Sequence, residues 1–170
     1  QALNQRYIPN FVPPKEGNYI RLTTHNAPAQ YINEQQLAAL PAQSFSFTAD
    51  IEGDFPETSY PADFKLTLKP GAQVMFIKND PQHRFYNGMI GEVIGVRTDE
   101  DGSKITVRSK DSGEEFDLEK MEWTNAKYTL NEKTKEIEET VEGKFRQYPL
   151  RLAWAITIHK SQGLTFEHAI

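Results

Sequence analysis

Turn signals punctuate residues 70–135 so closely that only short strands fit between them. Pro70-Gly71, Asn87-Gly88, Asp101-Gly102, Ser112-Gly113 and the polar run Asn131 to Lys135 follow one another at short intervals. Tight hairpin turns demand positive φ, which glycine supplies at no steric cost, and Asn-Gly is the strongest short hairpin signal. Between the turns, LKPGAQVMFIKND holds an apolar strand from Val74 to Ile77, and FYNGMIGEVIGV holds a Gly-punctuated one. KITVRS and EEFDLE alternate apolar and polar residues around a Lys-Asp-Ser-Gly turn, and WTNAKYTL and EIEETVEGKF flank the last turn. A period of two marks half-buried strands. Residues 54–148 therefore read as all β, and short strands with tight turns predict a small, strongly bent barrel.

The flanks read differently. After a Pro-rich, extended start (Pro9, Pro13, Pro14), NYIRLTTHN is a strand that ends in a polar loop. A helix is expected from Asn26 or Ala27, with Pro28 in its first turn, where the missing N–H costs little. Ala29, Ile32, Leu37 and Leu40 give it one apolar face, and Pro41 ends it. SFSFTADIEG alternates around Phe45, Phe47 and Ala49 as a further half-buried strand. On the other side, Leu150 to Ala155 reads as a buried strand and Ile156 to Gly163 as a short helix or helical turn closed by Gly163. Phe166 to Ile170 opens another strand. The fold class expected is α/β plus all-β: an α/β domain formed by residues 19–53 and 149–170, with a barrel of residues 54–148 inserted and residues 1–18 extended.

Composition narrows the function. The 170 residues carry a net charge of −5 and no cysteine. Disulfides are thereby ruled out, a structural zinc site is disfavoured, and a reducing, intracellular compartment fits. An acidic balance argues against a free-standing nucleic-acid binder, although local charge can differ from the average. No stretch has the roughly 20 apolar residues of a membrane helix, and the N-terminus lacks the layout of a signal peptide. His25, His83, His159 and His168 show no short metal-ligand spacing. The chain has no initiating Met and ends inside an apolar stretch, so it reads as an excised piece.

Catalytic motifs are missing. The single Gly-Lys pair, Gly143-Lys144, is followed by Phe145, and Glu138 stands where a phosphate loop would need its first glycine. Asp99-Glu100 superficially resembles a magnesium-binding pair but is better read as a hairpin tip. The acidic run from Asp111 to Glu122 is a solvated face. Arg84, Phe85 and Tyr86, beside the Asn-Gly turn, would stack on bases and pair with phosphates, or fill the barrel. Trp123 and Trp154 read as core. The chemistry-bearing stretch is TIHKSQG, where polar side chains crowd one turn directly after a buried strand. Ligands of open α/β sheets bind beyond the carboxyl ends of strands. Lys160 would supply a point charge there, Thr157 or Ser161 a hydroxyl, and Gly163 a close backbone approach. Such a cluster suits phosphate oxygens; the plain alternative is a polar helix start.

The string AWAITIHKSQGLTFE closely resembles motif V of superfamily-one DNA helicases, of the RecD-like and PIF-type branch. IRLTTHNAPAQYIN resembles the motif IV region that opens the second RecA-like domain of that family. LKPGAQVMFIKND followed by YNGMIGEVIGV resembles the start of the small Src-homology-like (SH3-like) barrel inserted in the same domain. The resemblance covers the chain from about Tyr19 onward. It implies a partial second RecA-like domain of an ATP-dependent DNA helicase that translocates on single-stranded DNA and unwinds duplex and forks, 5′ to 3′. By position, Thr157, His159, Lys160 and Ser161 would face the DNA backbone, bordered by His25 and Asn26. Gln162 and Gly163 would lie nearer the nucleotide cleft.

The family's phosphate loop, magnesium carboxylates and final arginine motif fall outside this stretch. No catalytic or metal-binding residue is therefore expected here, and ATP and Mg2+ belong to the full-length enzyme. The chain alone is expected to hydrolyse no ATP. Its implied partners are DNA, the first RecA-like domain in cis, and a protein docked on the acidic barrel, with no membrane. The competing reading is a non-catalytic small-barrel module that binds protein or nucleic acid.

Overall fold

The computed structural model describes residues 8–12, 19–161, 163, 164 and 169. Among these described residues, twelve strands and one α-helix follow in the order β1 (Arg21–Thr23), α1 (Asn26–Ala39), β2 (Phe45–Thr48), β3 (Asp50–Gly53), β4 (Lys65–Leu68), β5 (Gln73–Phe76), β6 (Ile90–Asp99), β7 (Gly102–Ser109), β8 (Glu115–Leu118), β9 (Met121–Leu130), β10 (Ile137–Gln147), β11 (Leu150–Leu152) and β12 (Ala155–Thr157). A 3-10 turn covers His159–Ser161.

The antiparallel part is built on a five-stranded sheet in the order β11-β5-β6-β7-β8. Its strands alternate as the sequence does: in β7, Ile105 and Val107 are fully buried, whereas Thr106 and Arg108 point away. Together with Leu66, Leu68, Val74, Phe76, Val93, Leu118 and Leu150 they form the main core. Gly91 in β6 admits no side chain, because a Cβ there would lie 2.7 Å from Val107 and 3.2 Å from Phe76. Asp99 and Glu100 sit at the β6–β7 tip, where Gly102 takes φ +117°. A second sheet has the order β3-β10-β9, and β2 pairs with β4. Among the described residues these sheets stay open, and no pairing closes them into the expected barrel.

Strand β5 joins the two halves of the molecule. Val74 and Phe76 enter the main core, while Met75 packs with Ile20, Ala153 and Ile156 in a smaller one. That smaller core lies under the only parallel pair of named strands, β1 with β12, whose register is Arg21–Ala155, Leu22–Ile156 and Thr23–Thr157. Two expectations change here. Leu150 to Ala155 is not one strand: β11 pairs with β5, the chain bends at Ala153-Trp154, and β12 joins the parallel pair. The bend is held by Ala153 N–H donating to Gln73 O at 2.9 Å and Arg21 N–H donating to Trp154 O at 2.9 Å. Likewise β2, which the sequence places in the α/β part, pairs with β4 of the antiparallel part, because Phe47 packs on the main core, 4.9 Å from the Tyr148 ring.

Helix α1 runs as expected and stops at Leu40, ahead of Pro41. His25 occupies the N-cap position, with no side-chain capping bond. Of the segment from Phe166, only Ala169 lies within the described residues, bridged in parallel to Ile20.

Candidate nucleic-acid interface

Parallel strands end at the same edge of a sheet, so β1 and β12 deliver their following residues to one place. The ladder runs one residue further, with Ile158 N–H donating to Thr23 O at 2.8 Å. Thr24, His25 and Asn26 then emerge beside Ile158, His159 and Lys160, all exposed. The loop after β1 is shaped from within. Thr23 Oγ1 donates to His25 O at 2.9 Å, and Thr24 Oγ1 lies 2.8 Å from His25 Nδ1. Asn33 fixes α1 to this edge: its side-chain amide accepts from Ala155 N–H and donates to Ala155 O, both at 2.9 Å.

Next to this edge lies a cleft of about 790 Å3, bounded by α1, the end of β12, and β4 with the loop before it. Thr157, Lys160, Arg151 and Asp63 all line it. Thr157 is 1% exposed, and its Oγ1 has no hydrogen-bond partner among the described residues. Arg151 Nε is likewise buried without a partner, and one terminal nitrogen reaches Pro61 O at a long 3.5 Å. Burial pulls the Arg151 pKa below the ordinary arginine value, and Asp63 acts against that. Lys160 is exposed as a residue, yet partial desolvation in the cleft and repulsion from Arg151 hold its pKa below the usual lysine value, again opposed by Asp63. Arg151 and Lys160 thus put two cations on one cleft, opposed by Asp63 and beside the unsatisfied buried Thr157 hydroxyl.

No protein-family model matches the chain. The ATP-dependent DNA helicase Pif1 of Psychrobacter sp. is 35% identical over 196 residues, covering 89% of this chain and 29% of the relative. That of Bdellovibrio bacteriovorus is 34% identical over 152 residues, covering 86% and 31%. Bacteroides sp. Pif1 in complex with ADP-AlF4 superposes with a TM-score of 0.79 at 40% identity, over 91% of this chain. The chain is homologous to part of the Pif1 DNA helicases. The Bacteroides Pif1 structure bound to ssDNA also matches, at TM-score 0.73 and 39% identity. This chain spans about a third of each of those Pif1 chains, 34% and 35%.

Among the residues singled out in this Pif1 homologue, His25, Asn26, Thr157, His159 and Lys160 meet at the shared strand edge. Thr157 does so from a buried position. Gly163 is exposed with φ +76°. The backbone of Ser161 belongs to the 3-10 turn, and Gln162 lies outside the described residues. Arg151, Asp63 and Asn33 were missed. Arg151 had a signal, as the one charged residue in the apolar run Leu150–Ile158. Asp63 and Asn33 had none, since tertiary pairing brings them in.

The aromatic group beside the Asn-Gly turn is mostly structural. Phe85 stacks on Phe76 at 4.5 Å and on Phe116 at 5.8 Å. Arg84 lies over both Phe85 and Phe116 and pairs with the buried Asp80 at 2.6 Å. Burial would raise the Asp80 pKa, but hydrogen bonds from the Arg84 side chain and the Gln82 and Arg84 amides hold it below the ordinary carboxylate value. Tyr86 is exposed and donates to Asp111 at 2.9 Å.

This loop also touches the segment after the 3-10 turn. Gly88 has φ +98°, and a Cβ on it would lie 2.8 Å from Leu164. Gly88→Val is therefore expected to cost roughly 1–3 kcal/mol through backbone strain and to push Leu164 away. Thermal unfolding checks this; an unchanged midpoint would mean that the loop and Leu164 are not held together.

Proposed function

We propose that this chain is part of the second motor domain of an ATP-dependent DNA helicase that translocates 5′ to 3′ on single-stranded DNA. In this reading it contributes one wall of the DNA groove and an edge of the nucleotide cleft. The observation that carries the reading is the meeting of two parallel strand ends beside a cleft lined by Arg151, Lys160 and Thr157. His25, Asn26, Thr157, His159, Lys160 and Ser161 are read as facing the DNA backbone, with Arg151 behind them. Gln162 and Gly163 are read as facing the nucleotide.

Residues 19–53 and 149–170 are taken as the partial RecA-like part, with residues 1–18 leading into it. Residues 54–148 are taken as the inserted counterpart of the SH3-like barrel. The first RecA-like domain, forked DNA and an intracellular setting complete the picture; no described helix is long and apolar enough to cross a membrane. The described residues contain no group of three His, Asp or Glu side chains able to hold a metal ion. Phosphoryl transfer from ATP, with its Mg2+, is assigned to the rest of the enzyme.

The test is fluorescence anisotropy with a labelled single-stranded oligonucleotide at several salt concentrations, comparing the chain with its Lys160→Ala variant. Each phosphate neutralised on a single strand contributes about −0.7 to the slope of log affinity against log salt. Loss of Lys160 is expected to weaken binding at every sequence and to flatten the slope by about that amount. An unchanged slope would remove Lys160 from the DNA interface.

A further inference from the structure

The far half of the β9–β10 hairpin has no packing partner among the described residues. Strand β3 pairs with β10 only from Gly143 to Arg146, so Ile137–Val141 and their partners Ala126–Leu130 form a bare two-stranded ribbon. Such a ribbon is marginal in water unless something covers one face. Residues directly opposite in an antiparallel pair share a face. Leu130 lies opposite Ile137, Tyr128 opposite Glu139, and Ala126 opposite Val141.

One face therefore presents Leu130, Ile137, Tyr128 and Val141, which are 60%, 74%, 67% and 47% exposed. A single carboxylate, Glu139, sits among them, without an ion pair among the described residues. The other face holds Lys127, Thr129, Glu138 and Thr140. Strand β9 is also the edge of its sheet, with unpaired backbone groups along its outer side.

We propose that this ribbon docks a protein strand added along β9, whose one face carries apolar side chains around a basic one that reaches toward Glu139. Three observations select that occupant. The open edge offers backbone hydrogen bonds to an extended chain, and the period of two on the exposed face matches alternate side chains of an added strand. Residues 126–142 carry five glutamates against three lysines, which repels nucleic-acid phosphates. The same excess, with Glu139 at the centre of the face, repels a second copy of the ribbon. The inference stands independently of the helicase reading.

The probe is a Val/Lys peptide of about ten residues, with Thr at every second position and Val, Val, Lys, Val, Val at those between, so that the lysine shares a face with the valines; a Val/Glu peptide, with Glu for that Lys, is the comparison. Both are titrated into the chain while its backbone amide resonances are followed. The Val/Lys peptide is expected to shift the amides of residues 124–130, and Ile137→Thr to weaken its binding roughly tenfold, as loss of a central apolar anchor does. Ile137 is exposed, so this variant keeps the fold. Glu139→Lys is expected to transfer preference to the Val/Glu peptide. Equal binding of both peptides by the parent, or binding of neither, overturns the proposal. So does self-association abolished by Ile137→Thr, or an oligothymidylate that shifts the same amides.

Discussion

An Arg151→Met variant is expected to bind single-stranded DNA roughly ten- to a hundredfold more weakly, the loss of one charge-assisted hydrogen bond, yet to unfold no more easily than the parent. The two halves of this expectation have one cause. The Arg151 guanidinium is largely desolvated, and among the described residues its Nε has no partner and its one backbone acceptor, Pro61 O, is 3.5 Å away. A charge held this way costs folding free energy, and a well-packed apolar side chain of similar length in its place is often neutral or stabilising. Such a group is retained for what it binds. A phosphodiester in the cleft would offset the repulsion between Arg151 and Lys160. If Arg151 were instead a structural ion-pair partner of Asp63, the opposite pattern would follow. The midpoint would fall by several degrees and DNA affinity at low temperature would hold. Measuring both quantities on the same variant separates the two roles.

The antiparallel part could be read locally, because each hairpin contains its own instructions. KITVRS alternates, and Ile105 and Val107 are the buried pair; Asp101-Gly102 reads as a turn, and Gly102 takes the positive φ that makes one. Helix α1 is bounded by local chemistry as well, with Pro28 in its first turn and Pro41 just past its end. What could not be read were pairings between distant segments. Nothing in SFSFTADIEG says that Phe45 will face Leu68, nor in LRLAWAIT that the chain leaves one sheet at Ala153 and enters another at Ala155. The site divides in the same way. His159 and Lys160 are visible as a polar cluster after an apolar run. The Thr157 hydroxyl reads as solvent-facing until the strand is placed against α1, and Asp63 becomes part of the cleft only when β4 is brought alongside.

Gln147→Leu is expected to be the most damaging conservative change in volume, at roughly 2–5 kcal/mol for several buried polar groups losing their partner. Gln147 is fully buried. Its Nε2 donates to Phe47 O at 3.0 Å, Asp63 O at 3.1 Å and Phe64 O at 3.4 Å, and its Oε1 accepts from Tyr148 N–H at 3.0 Å. One side chain thus ties β10 to β2 and to the segment leading into β4. Leucine fills the space and answers none of these groups, so the cost is desolvation without compensation, not a cavity. For a chain of this size the thermal midpoint should drop by roughly 5–15 °C. A fall of under about 1 kcal/mol would mean that the four groups find other partners, as a net hydrogen bond is worth about that much. The change should also reach the cleft. Asp63 O is one of the acceptors released, and the Asp63 carboxylate is the counter-charge to both Arg151 and Lys160. Below its midpoint, the variant should therefore bind DNA with an altered salt slope, whereas a purely global loss of stability would leave that slope untouched.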